Sequence, residues 1–77
     1  MTVKFLGSNV ILANVPTKAG IVDWMRYNDN DDGWFNEKDY MKKFSEKLKK
    51  IGNDVIRFDS VDHFVDDLFQ KGLLKLL

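Results

Sequence analysis

No cysteine occurs in this 77-residue chain, so nothing covalent beyond the backbone can hold its fold together. Scaffolds below roughly 80 residues commonly rely on a disulfide, a metal or a partner subunit. Disulfides and thiolate metal sites are excluded here. The chain must close an apolar core of its own, and with 44% hydrophobic and 13% aromatic residues it has the material for one. At this length a single domain spanning residues 1–77 is expected.

Apolar periodicity and breaker residues divide the chain into short elements. Thr2–Leu6 and Asn9–Val15 are β-rich, and Val3 and Phe5 share a strand face. Gly7-Ser8 between them suits a two-residue type II′ hairpin turn. Pro16 ends the second strand because it lacks a backbone donor. Thr17 is a helix cap for about Lys18–Tyr27, although the β-branched and aromatic run Ile21–Tyr27 equally suits a strand. The polar stretch Asn28–Gly33 is a loop. Asn36 caps a helix carrying Tyr40, Met41, Phe44, Leu48 and Ile51 at helical spacing, and Gly52 is placed to stop it. Val55–Phe58 is expected to be a strand. Ser60 caps a last helix whose core face is Val61, Phe64, Val65, Leu68 and Phe69. The Leu73–Leu77 tail either packs on the sheet or mediates self-association.

The expected class is α+β, in the order β-β-α-α-β-α. A small, mostly antiparallel sheet, made of an N-terminal hairpin plus one later strand, is covered on one face by two or three helices.

Charge narrows the functional classes. Twelve basic and 12 acidic residues cancel, which disfavours a globally basic nucleic-acid binder and a globally acidic mimic of DNA. The cancellation is not local. Lys42, Lys43, Lys47, Lys49 and Lys50 stand against Glu46 alone, whereas Asp29–Asp39 and Asp54–Asp67 are both strongly acidic. The lysine face is a candidate for tracking phosphates, with few arginines for reading bases. Asp62, Asp66 and Asp67 form an acidic stripe on the last helix that would steer a basic partner.

The loop and the start of the helix after it have the spacing of a cation site. Asn28, Asn30 and Asp32 fall on alternate positions, Gly33 on the sixth, where a sharp turn needs a positive φ, Trp34 on the seventh with its carbonyl, Asn36 on the ninth and Asp39 on the twelfth. The segment 28–39 resembles an EF-hand loop, and its Asn-x-x-Asp ending resembles the loops of dockerin modules. That resemblance implies calcium bound through Asn28, Asn30, Asp32, Trp34, Asn36 and Asp39. It departs from the family in having Asn first and Asp last, and no second loop is present to pair with it.

Chemistry of other kinds is thinly represented. His63 is the only histidine, so multi-histidine metal sites are excluded, and no glycine-rich phosphate loop occurs. No apolar run approaches the roughly 18 residues of a membrane span, and the N-terminus lacks the pattern of a signal peptide. A non-enzymatic cytoplasmic protein is expected, with another protein as its partner. It acts as a small regulator or inhibitor, bacterial or phage in origin from its Asn-, Asp-, Lys- and Phe-rich composition. The contact residues expected are Trp34, Phe35, Asp62, Asp66 and Asp67. Calcium binding at 28–39 and nucleic-acid binding through the lysine helix are the alternatives.

Overall fold

In a computed structural model, which describes residues 1–6 and 10–77, the chain forms three strands and three helices in the order β1 (Val3–Phe5), β2 (Ile11–Leu12), α1 (Lys18–Tyr27), α2 (Glu37–Gly52), α3 (Val61–Gln70) and β3 (Leu74–Leu76). The class is α+β, as expected. The hairpin turn at Gly7-Ser8 and the strand start at Asn9 lie outside the described residues.

β1 is the central strand, antiparallel to both neighbours in the order β2-β1-β3. Val3 lies opposite Leu12 and Leu76, Lys4 opposite Ile11 and Lys75, and Phe5 opposite Leu74. This register puts Val3, Phe5, Leu12 and Leu74 on the helix side and leaves Lys4, Ile11 and Lys75 exposed on the other. The pairing continues past the hairpin strands, where the Met1 ammonium donates to the Val15 carbonyl at 2.7 Å.

Two expectations about the strands are corrected. Val55–Phe58 is not a strand. Ile56 is buried, but Val55 and Phe58 are exposed, and the Arg57 amide donates to the Asp67 carboxylate at 2.8 Å and not to a strand neighbour. The later strand is the tail. Leu74 is buried and pairs with Phe5, which leaves Leu76 and Leu77 exposed at the edge. The last helix therefore precedes the last strand.

The helices begin where their caps stand. The side chains of Thr17, Asn36 and Ser60 accept from the amides of Gly20, Asp39 and His63. Ile21–Tyr27 is helical, because Ile21, Val22 and Met25 enter the core together on one helix face. α2 ends one residue later than expected. Gly52 is its last residue, and Asn53 takes the left-handed conformation at φ 57°. α3 closes with the Gly72 amide on the Phe69 carbonyl and the Leu73 amide on the Leu68 carbonyl, with Gly72 at φ 76°.

Phe64, Ile21, Leu68, Val3, Val22 and Val65 are fully buried and join α1 and α3 to β1, while α2 packs on α1 and adds Tyr40 and Met41 to the core. Ile51, expected on the apolar stripe of α2, is 85% exposed, since that helix turns it away from α1. Ser45 is buried on α2, and its hydroxyl meets no hydrogen-bond partner among the described residues. Ser45→Ala should therefore raise stability by about 1 kcal/mol, since it removes an unsatisfied hydroxyl and improves helix propensity. A urea titration showing a lower midpoint for the variant would contradict that. No helix among the described residues is long and apolar enough to cross a membrane.

Candidate functional site

The α1–α2 connection is held by its own polar groups. One oxygen of Asp29 accepts from the amides of Asp31 and Asp32, both at 2.9 Å. Those amides, Asp32's foremost, hold the Asp29 carboxyl below its ordinary range. Tyr40 packs beneath, and burial, with the Asp29 charge second, pushes its phenol well above the usual value. The Gly33 amide donates to the Asp29 carbonyl at 3.0 Å, and the Arg26 guanidinium donates to the Phe35 carbonyl at 3.0 Å. Lys47 on α2 pairs with Asp32 across the gap.

This arrangement uses most of the residues given the calcium pattern. The Asn28 amide donates to the Trp24 carbonyl, Asp32 faces Lys47, and Asn36 caps α2. Asn30 and Asp39 are exposed, and Trp34 turns its indole N–H to the Asp31 carbonyl at 3.0 Å. Gly33 does not have the positive φ expected of it; among the described glycines only Gly72 has one. Its requirement is closeness. A Cβ on Gly33 would lie 2.0 Å from the Arg26 carbonyl oxygen and 2.3 Å from that of Asp29. No group of three or more His, Cys, Asp or Glu among the described residues is placed to hold a metal ion.

The five residues expected to contact a partner are divided by the fold. Trp34 and Phe35 are together in the loop, stacked with ring centroids 3.9 Å apart, and Lys43 sits 4.7 Å above the Phe35 ring. Asp62 is exposed on α3, and Asp66 pairs with Lys18 at 2.7 Å. Asp67 is not a surface residue. Its carboxylate is buried under Arg57, which binds it with side chain and backbone, and those hydrogen bonds hold its carboxyl down at about 2. α3 phases Asp67 next to Phe64 and Leu68, so it turns inward where Asp62 and Asp66 turn outward.

Of the lysine set, Lys43, Lys47, Lys49 and Lys50 line a shallow groove of about 660 Å³ with Glu46 and Asn53, and Lys42 is exposed beside it. Lys47 is engaged by Asp32 and Lys43 by Phe35, which reduces the charge the face presents.

Comparison with known proteins finds no family model, no characterised relative and no solved structure that matches this chain. Tyr27 and Trp34 are 89% and 75% exposed, the first at the end of α1 and the second directly after Gly33. Tyr27, Arg26, Asp23 and Gly33 line one depression of about 260 Å³. Tyr27 and Arg26 thus border Gly33, and Trp34 follows Gly33 directly in the chain. Sequence reasoning found Trp34 but missed Tyr27 and Arg26; the available signal was their place on the last turn of α1, directly before the polar loop.

Proposed function

We propose that this chain is a protein-binding module anchored by Tyr27 and Trp34, acting on its partner by occupancy as a regulator or inhibitor. The observation that carries the reading is the exposure of two large aromatic rings, Tyr27 beside Arg26 at the end of α1 and Trp34 on the following loop, which is tied down at both ends. Trp, Tyr and Arg are the residue types that dominate binding energy at protein interfaces. Trp34 is held in place by its stack on Phe35 and by its indole bond to Asp31, so little ordering remains to be done on binding.

Trp34→Ala is expected to leave the melting temperature nearly unchanged, since three quarters of the residue is already in water. It should weaken partner binding by about 2 kcal/mol, roughly 30-fold. Affinity purification from the native host with quantitative mass spectrometry measures this. The expected result is a protein captured by the wild type and strongly depleted with Trp34→Ala and with Tyr27→Ala. The same proteins captured at the same level by all three chains would refute the assignment.

A further inference from the structure

A second depression, of about 490 Å³, opens between the C-terminal half of α1, the end of β1 and the first turns of α2. Its floor is aromatic: Phe5 stacks on Trp24 with ring centroids 4.8 Å apart, and Phe44 and Tyr40 continue it. Leu6, on one lip, is 70% exposed. The opposite lip is the stretch Asn28–Asp31. Asp29 is fixed there by two backbone amides, and Asp31 is exposed and makes no ion pair among the described residues.

An apolar floor with a carboxylate on one rim has a complementary shape and charge. We propose that this groove seats a segment of the protein partner carrying a large apolar side chain beside a lysine or arginine. The apolar group lies on Phe5, Trp24 and Phe44, and the cation meets Asp31. The proposal rests on the protein-binding reading above and names the partner's chemistry. The groove and the Trp34 anchor are borne by one loop, since residues 28–31 line the groove and the Asp31 carbonyl holds the Trp34 indole. Apolar contact supplies affinity, and the rim charge sets register and speeds encounter.

The probe is a random dodecapeptide library displayed on phage and selected against the full chain, with the enriched peptide then synthesised for titration. Enriched peptides are expected to carry Lys or Arg within two positions of Leu, Phe or Trp. Binding should weaken roughly tenfold for Asp31→Lys, as for loss of one rim charge pair, and also as salt is raised. Leu6→Gln should weaken it comparably. Both replaced side chains are exposed, and far-ultraviolet circular dichroism checks that the variants remain folded. Lys49→Glu, on the lysine face, should change nothing. Selection of acidic peptides, a peptide indifferent to both groove variants, no enrichment at all, or occupation of the groove by a second copy of the chain would each overturn the proposal. A peptide lost with Trp34→Ala and Tyr27→Ala but indifferent to Asp31→Lys and Leu6→Gln would overturn the groove and leave the aromatic anchor standing.

Discussion

Replacing Gly33 by alanine should destabilise the chain by about 3 kcal/mol or more, at the upper end of what overpacking costs. The added Cβ would meet two backbone oxygens, those of Arg26 at 2.0 Å and Asp29 at 2.3 Å. Neither is the end of a flexible side chain. The Arg26 carbonyl accepts from the Asp29 amide at 3.2 Å, and the Asp29 carbonyl accepts from the Gly33 amide itself at 3.0 Å. Relieving the clash means breaking the hydrogen bonds that join the end of α1 to the loop. For a domain of this size 1 kcal/mol moves the melting temperature by about 4–8 °C, so a fall of roughly 12–24 °C is expected. The Trp34 emission should change as well, because its ring sits directly after the displaced residue. A melting temperature within a few degrees of wild type, with unchanged emission, would show that the loop is not closed in this way.

Asp67→Ala should cost about 2 kcal/mol, mainly because it leaves the Arg57 amide without its acceptor, while the half-exposed Arg57 guanidinium regains water. The carboxylate binds the Arg57 side chain at 2.8 Å and the Arg57 amide at 2.8 Å, and so fastens the 53–60 connection, with buried Ile56, to α3. Total stability for a chain this short is about 4–11 kcal/mol, so the loss is a large share of it. The same contact makes the fold sensitive to acid. The carboxyl titrates at about 2 in the folded chain, below its value near 3.8 in the absence of these contacts. Its contribution is present in full above the unfolded value and is lost as pH falls toward the folded one. Urea midpoints measured from pH 5 down to pH 2 should fall more steeply for wild type than for Asp67→Asn, which keeps the shape and an acceptor but cannot be protonated. Parallel slopes for the two chains would remove Asp67 as the source.

Much of the fold was legible in local signals. Thr17, Asn36 and Ser60 cap the three helices, and the stripe Val61, Phe64, Val65, Leu68 faces the core as its spacing demands. What local pattern could not resolve was the choice between two short apolar runs for the third strand. Val55–Phe58 and Leu74–Leu76 look alike in sequence. The outcome depends on which can lie beside β1, a long-range pairing, and on the buried Asp67 satisfying the amide of Arg57 in place of a strand neighbour. Asp67 itself was misplaced because a run of acidic residues reads as solvated, although helical phase alone distinguishes it from Asp66. Gly33 was recognised as necessary for the wrong reason. A glycine after aspartate signals a positive φ, but here the backbone approaches too closely for any side chain. Within the site, Trp34 follows from its position after the polar turn, while the closeness of Tyr27 and Arg26 to Gly33 depends on the tertiary path of the loop.

The most direct test of the protein-binding claim is photo-crosslinking in the native host, with a photoreactive phenylalanine analogue placed at Tyr27 or Trp34 and, for comparison, at Lys42 or Lys49. A discrete adduct to one protein from positions 27 and 34, absent from 42 and 49, is the expected result. Adducts arising only from the lysine helix, or adducts to nucleic acid, would contradict it.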